Sequence, residues 1–151
     1  MPGFEYIDRI QDAVYVLEKD VLVVASDDLV IDVARRLSES RLGVAVVCAE
    51  DSQVLGVLSE RDIIRIVADN PKNFSALVVG RISTDHPVTC SPHDDIRSVI
   101  RRMHKGGFRH MPMVENGKLI GIASLASLLS YLLSEADGEK KAFALSHLEY
   151  L

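Results

Sequence analysis

The sequence predicts an α/β protein in which a β-α-β-β-α unit occurs twice. Apolar residues at helical spacing follow the paired acids Asp27-Asp28 and again Asp94-Asp95, and the second apolar set lies 66 residues after the first. Two apolar runs separated by a turn follow each of these helices, and a second helix then begins at Ser59 and at Ser124. One copy alone would leave a sheet face uncovered, so we expect the two copies to pack sheet to sheet with pseudo-two-fold symmetry.

The first helix and the strand pair of each copy follow from local patterns. Apolar residues recur at i, i+3, i+4 and i+7 from Val30 and, in the second copy, from Ile96. Val44–Cys48 is a continuous apolar run, as expected of a strand buried on both faces, and Val54–Leu58 returns after a turn. In the second copy, Asn116-Gly117 between two apolar runs is a strong hairpin signal.

The second helix of each copy carries a serine that can cap it. Ser59 precedes a helix whose apolar face we assign to Ile63, Ile64 and Val67. Ser124 precedes a leucine-rich helix. If the leucine stripe of this helix were left exposed, it would be too apolar for the surface of a monomer. We therefore expect a homodimer, the commonest closed assembly. The leucines that carry this prediction are Leu128, Leu129, Leu132 and Leu133.

The repeats divide the chain into five segments. We expect an N-terminal extension over 1–20, repeat 1 over 21–69, a linker over 70–84, repeat 2 over 85–134 and a C-terminal tail over 135–151. The apolar residues of the tail suggest a short helix that packs against a partner chain.

Composition excludes several classes of protein. The chain has 151 residues, of which 48% are hydrophobic and 26% charged, the profile of an ordinary globular domain. The net charge of −5 argues against a nucleic-acid partner, which requires a basic face. No leader or membrane-spanning segment is evident, and two cysteines cannot form a disulfide framework, so we expect a cytoplasmic protein with reduced thiols.

Two motifs carry a family resemblance. Gly56-Val57-Leu58-Ser59-Glu60-Arg61-Asp62 strongly resembles the G-h-h-[ST]-x-x-D signature of cystathionine-β-synthase (CBS) domains, and Phe108–Val114 resembles the R-H-x-P-V strand of the same family. The stretch 85–89 looks like the strand entry of a second CBS copy, and the order and spacing of the motifs match over about residues 20 to 133. The chain is similar to small stand-alone CBS-pair proteins, or Bateman modules, of bacterial type.

The resemblance implies a regulatory sensor of energy or metabolites that binds an adenosine-containing ligand and performs no catalysis. AMP, ADP, ATP, NAD and S-adenosylmethionine are the ligand types implied, and none acts as a catalytic cofactor. By the same resemblance, Asp62 would hold the ribose and Ser59 a phosphate oxygen, with Arg109 and His110 reaching the phosphate. The adenine would lie against Val44 and Val46.

The second copy departs from the family pattern. Ser124 takes the place of Ser59, but Ser127 replaces the ribose-binding aspartate, so we expect this second site to be weak or empty. The alternative function is therefore a scaffold or dimerisation protein whose ligand clefts are degenerate or empty. A regulated protein partner is a further expectation.

The residues also allow structural interpretations. Ser59 and Asp62 could simply cap a helix, and Arg109 and His110, at the start of a buried strand, would need a carboxylate or a ligand as partner. The arginine pairs 35–36 and 101–102 are expected on solvated helix faces. Cys90, with His93 and His86 nearby, does not supply a zinc ligand set, so no metal site is predicted. No hydrolase elbow, P-loop or zinc-protease motif indicates an enzyme.

Overall fold

The computed structural model describes residues 17–18, 21–134 and 138–151, and these form two compact units. The first-repeat unit holds Lys19–Val88 with Val114–Ile120, and the second-repeat unit holds Thr89–Met113 and Gly121–Leu151 with the strand at 17–18. The helices and strands, in chain order, are β1 (Leu17–Glu18), β2 (Leu22–Val24), α1 (Val30–Glu39), β3 (Val44–Cys48), β4 (Val54–Ser59), α2 (Glu60–Asp69), α3 (Val79–Ile82), β5 (Thr84–Asp85), α4 (Ile96–Gly106), β6 (His110–Glu115), β7 (Lys118–Ser124), α5 (Leu125–Ser134) and α6 (Gly138–His147).

The sheet of the first-repeat unit has the order β2-β3-β4-β5. β2 runs parallel to β3, and the other neighbours are antiparallel. Because strand side chains alternate between faces, Ala45 and Val47 turn toward α1, where they meet the buried stripe Val30, Val33 and Leu37. The predicted helix, strand run and hairpin of the first copy are thus confirmed.

The segment expected as a linker is folded onto this unit. Short helical turns occupy Phe74–Ala76 and α3, and Val79 is fully buried in the core. Val79 N–H donates to the carbonyl of Asp28 at 2.9 Å, and Val30 N–H donates to the carbonyl of Leu77 at 2.9 Å. These two bonds tie the segment to the start of α1.

The strand at Thr84–Asp85 belongs to the sheet of the first-repeat unit, so the first residue of the stretch 85–89, which resembles the strand entry of the second copy, lies in the first sheet. This strand pairs antiparallel with β4, where Asp85 lies opposite Gly56. The second copy opens instead at Cys90, which bridges Met113 in parallel, as β2 does with β3. Gly56 is required by this arrangement, since a Cβ there would lie 2.7 Å from the Thr84 carbonyl oxygen.

The sheet of the second-repeat unit has the order β1-β7-β6, so each sheet takes an edge strand from the segment that precedes the other repeat. Asp95 caps α4 through the N–H of Arg97, and Gly107 ends it in the left-handed conformation at φ +71°. The β6–β7 turn has positive φ at both Asn116 and Gly117, as its hairpin signal predicts.

The leucine stripe of α5 is covered by the chain itself. Leu128, Leu129 and Leu132 are buried, and Phe143 and Ala144 of α6 pack against the same core. The premise that these leucines need a second chain was therefore wrong. The tail beyond them keeps apolar surface, since Leu145 is 59% exposed and Leu151 45% exposed, so its packing against a partner chain stays a prediction.

The second helix of the first repeat, α2, keeps part of its apolar face exposed to solvent. Ile63 packs against the core, but Ile64 is 71% exposed and Val67 41% exposed. The predicted apolar face of α2 is therefore split between core and solvent. Within the described residues, no helix combines the length and apolar character needed to cross a bilayer.

Candidate functional site

The residues singled out from the sequence converge first at the start of α2. Ser59 is the N-cap, with extended backbone at φ −97° and ψ 164°. Its Oγ accepts the N–H of Asp62 at 3.1 Å, and the N–H of Ser59 donates to Oδ2 of Asp62 at 2.8 Å. This reciprocal pair is a capping box, which satisfies two backbone donors and fixes the orientation of the carboxylate.

The two carboxylate oxygens of Asp62 have different surroundings. Oδ2 is held by the capping box, whereas Oδ1 receives no hydrogen bond from the described residues. Its nearest charged neighbour is Nη1 of Arg65 at 4.0 Å, on a side chain that is 67% exposed, and such surface pairs contribute little. Asp62 itself is 26% exposed. The site thus offers a fixed, charged acceptor with one oxygen free.

Ser59 also keeps a donor. Its oxygen accepts from Asp62, but a hydroxyl carries a proton of its own that it can donate to a further group. The structure places this hydroxyl beside β3, because Val44 lies opposite Ser59 in the strand register. Gly43 supports the junction, since its carbonyl accepts the N–H of Glu60 at 2.9 Å and a Cβ at its φ of +63° would meet the Glu60 carboxylate.

Val44 and Val46 lie on the opposite face of the sheet from the helix-side core. They alternate along β3 with Ala45 and Val47, which belong to that core. Val44 and Val46 are themselves 3% and 0% exposed. The structure therefore places both valines on the same face as Ser59, but buries them.

The second repeat reproduces half of this arrangement. Ser124 Oγ accepts the N–H of Ser127 at 3.1 Å, as Ser59 does from Asp62. Leu125 N–H donates to the carbonyl of Arg109 at 2.8 Å, the counterpart of the bond between Glu60 and Gly43. Ser127 has no carboxylate, so the reciprocal bond of a capping box and the free acidic oxygen are both missing.

Arg109 and His110 differ in environment. Arg109 is exposed at the start of β6, so its charge needs no buried partner, and the expectation that it does was wrong. Its defined contact is the backbone bond to α5. His110 is half-buried. Both residues, with Ser124 and Ser127, belong to the second-repeat unit, whereas Ser59, Asp62, Val44 and Val46 belong to the first-repeat unit.

The cysteines are placed for packing. Cys90 is buried with Sγ 3.7 Å from the Pro112 carbonyl oxygen, and burial, aided by Asp94, raises the pKa of its thiol to about 12. Burial likewise raises the pKa of Cys48. Neither thiol is activated as a nucleophile. In the described parts of the chain, no three histidine, cysteine or acidic side chains cluster to hold a metal ion.

Two features of this site escaped the sequence analysis. One is Arg65, whose spacing of three residues from Asp62 on a helix was the available signal. The other is Gly43, whose positive φ depends on the junction between β3 and α2. No local sequence pattern predicted this positive φ.

Comparison with known proteins identifies the two repeats. The sequence profile of the CBS domain matches residues 12–69 and 79–134. The chain belongs to the CBS-domain family. The match confirms the resemblance carried by the segments 56–62 and 108–114, and with it an α/β fold of two CBS repeats.

Relatives of this CBS-domain chain come from several organisms. An uncharacterised protein of Methanopyrus kandleri is 26% identical over 132 residues, which cover 85% of this chain and 67% of that protein. By contrast, the chain spans about a fifth of the length of the CBS-domain proteins of Arabidopsis thaliana that it matches.

Solved structures share the fold. The CBS-domain protein ATU1752 from Agrobacterium tumefaciens is 28% identical with a TM-score of 0.74, covering 86% of this chain and 98% of that one. The structure of CBSX2 in complex with AMP is 24% identical with a TM-score of 0.70, covering 83% and 96%. At that identity, the second likeness shows the fold alone.

Proposed function

We propose that this CBS pair is a regulatory module that binds an adenosine-containing ligand through the start of α2 and catalyses no reaction. The observation that carries the proposal is the carboxylate of Asp62, which the capping box orients through Oδ2 while Oδ1 receives no hydrogen bond from the described residues. A negatively charged acceptor that is already immobilised binds donors without losing further side-chain freedom.

The chemistry suits a ribose. The two vicinal hydroxyls of a ribose are donors, and a carboxylate accepts such bonds with charge assistance. Ser59 can donate its hydroxyl proton to a phosphate oxygen, and Arg109 and His110 are the residues we propose for further phosphate contacts. The AMP complex of CBSX2, a protein of the same fold, supports this ligand class.

The difference between the repeats supports one strong site in each chain. Ser127 supplies an uncharged hydroxyl where Asp62 supplies a carboxylate, so the second repeat lacks the acceptor that the proposal depends on. We expect one tight site, formed with Asp62, and a second that is weak or empty.

The first experiment identifies the ligand. The purified protein is denatured and the released small molecules are measured by mass spectrometry, and calorimetry then tests AMP, ADP, ATP, NAD and S-adenosylmethionine. Incubation with each nucleotide tests for turnover. A stable complex without product supports the proposal, whereas catalytic consumption of the nucleotide contradicts the assignment as a non-enzyme.

The second experiment compares Asp62→Ala with Asp32→Ala. Asp32 is a matched control because it too is the third residue of a ten-residue helix with an arginine three residues on, but it makes no capping box. Loss of charge-assisted bonds worth about 1.5–3 kcal/mol predicts binding about ten- to hundredfold weaker for Asp62→Ala. Asp32→Ala should leave the affinity unchanged. Equal affinities in both variants would assign Asp62 to capping alone.

Two observations favour the alternative of a scaffold or dimerisation protein. Val44 and Val46, the residues proposed to contact adenine, are buried, and Ser59 and Asp62 already have capping roles. That alternative predicts no released small molecule and no calorimetric binding of any of the five ligands. A regulated protein partner and a cytoplasmic location remain predictions of the sensor proposal.

A further inference from the structure

The face of α4 formed by Arg97, Ser98, Arg101 and Lys105 carries a net positive charge that the equivalent face of α1 lacks. A shift of 66 residues relates Arg101 to Arg35, which is paired with Asp32 at 3.2 Å. In the second repeat, Ser98 replaces that aspartate and Arg97 replaces Ile31. Further along the helix, lysine replaces glutamate at position 105. The face therefore changes from one net negative charge to three positive charges, in a chain whose net charge is −5.

The two arginines of this face converge on one aromatic ring. The guanidinium carbons of Arg97 and Arg101 lie over Phe143 of α6, 5.6 and 5.2 Å from the ring centroid. The ring of His147 is stacked on Phe143 at 4.3 Å with an interplanar angle of 27°, so one face of the ring is covered. Both guanidinium groups lie within 5.6 Å of the centroid of this one ring, which brings two like charges together.

Nothing in the described part of the chain neutralises this pair. Arg35, Arg65 and Arg102 each have a carboxylate within 4.0 Å, but no described carboxylate lies within that distance of Arg97 or Arg101. The phenylalanine ring attracts both cations through its quadrupole, yet it accepts no hydrogen bond in the plane of a guanidinium. Arg101 is exposed, so its donors remain accessible.

We propose that Arg97 and Arg101 form a binding site for a tetrahedral oxyanion, namely phosphate or a phosphate ester. Two adjacent guanidinium groups present forked donors that match the oxygens of a phosphate. His104 lies one turn beyond Arg101 on the same face, exposed and in contact with Tyr150 at a centroid distance of 3.7 Å. All these residues belong to the second-repeat unit, whereas Asp62 belongs to the first-repeat unit, and the inference goes beyond the proposed function.

The test is an NMR titration of the full chain with sodium phosphate and with pyrophosphate at constant ionic strength. We expect saturable shifts of the amides of α4 and α6. Ser98→Asp should weaken them, because it places beside the two arginines a carboxylate that repels phosphate and that corresponds to Asp32 in α1. The combined change Arg97→Gln and Arg101→Gln should weaken binding about tenfold or more.

Two control variants test whether the phosphate binds at this face of α4. Arg35→Gln, at the balanced counterpart in α1, should leave the phosphate affinity unchanged. Asp62→Ala should also leave it unchanged, so failure of the nucleotide proposal and failure of this one are distinguishable. The inference is overturned if shifts follow ionic strength alone, if Ser98→Asp binds phosphate like the native chain, or if Asp62→Ala removes the binding.

Discussion

The clearest consequence of the repeat comparison concerns Ser127, the third residue of α5. Asp62 at the equivalent point of α2 accepts the N–H of its cap residue, whereas Ser127 only donates its own N–H to Ser124 Oγ. Ser127→Asp places a carboxylate in the first turn, within reach of the Ser124 N–H and near the positive end of the helix dipole. We expect the variant to be more stable than the native chain.

The size of the effect follows from the geometry at α2. A second capping bond and a favourable charge in the first turn together contribute about 0.5–1 kcal/mol. For a chain of this length, that free energy corresponds to a rise of roughly 1–4 °C in Tm. The reverse change, Asp62→Ser, should lower the unfolding free energy by a similar amount, because it removes the bond measured at 2.8 Å.

Denaturant unfolding of both variants measures these changes, with the slope m expected to stay constant. Ser134→Asp is a matched control, since it adds the same charge to the last turn of the same helix, where the dipole disfavours it. If the proposed function is also right, Ser127→Asp should tighten the second adenosine site and raise the calorimetric stoichiometry. The capping argument is refuted if Ser127→Asp and Ser134→Asp change stability equally, or if Asp62→Ser is neutral.

Three further predictions follow from the packing. Because the folded state raises the pKa of the Cys90 thiol to about 12, the unfolding free energy should fall as pH rises from about 9 to 12. The fall should be less steep in Cys90→Ala. The native thiol should also resist labelling. Ile64 of α2 is 71% exposed. If the expected homodimer forms through this residue, Ile64→Glu should sediment as a monomer and keep the native unfolding curve. A native chain that is already monomeric at micromolar concentration would contradict the homodimer. Gly56→Ala should cost about 1–3 kcal/mol in unfolding free energy because its Cβ meets the Thr84 carbonyl, whereas Gly138→Ala, with no atom within 4 Å, should be nearly neutral.

Local patterns in the sequence determined most of the secondary structure. Helical spacing from Val30 and Ile96, the apolar run Val44–Cys48 and the turn at Asn116-Gly117 each predicted an element that the structure contains. Such patterns are reliable because they record side-chain burial and backbone φ preferences, which act over a few residues. The same is true of the capping serine Ser59.

The family and the candidate residues came from the resemblance of the motifs at 56–62 and 108–114 to CBS domains. Ser59 and Asp62 were found from the motif, and their spacing of three is the reason that they meet at the start of a helix. The sequence could not tell capping from ligand binding, because both use the same serine and aspartate. The tertiary structure separated the two carboxylate oxygens: the cap occupies Oδ2, and Oδ1 receives no hydrogen bond from the described residues.

Tertiary structure alone decided which segments pair and which faces are covered. The strand Thr84–Asp85 joined β4 and not the second copy, because strand pairing is a choice among distant backbone partners that side-chain alternation does not specify. The leucines of α5 were buried by α6, while Ile64 of α2 stayed exposed, although both helices have comparable apolar spacing. Whether an apolar stripe is core or surface depends on what the rest of the chain brings against it, and only the folded packing supplies that information.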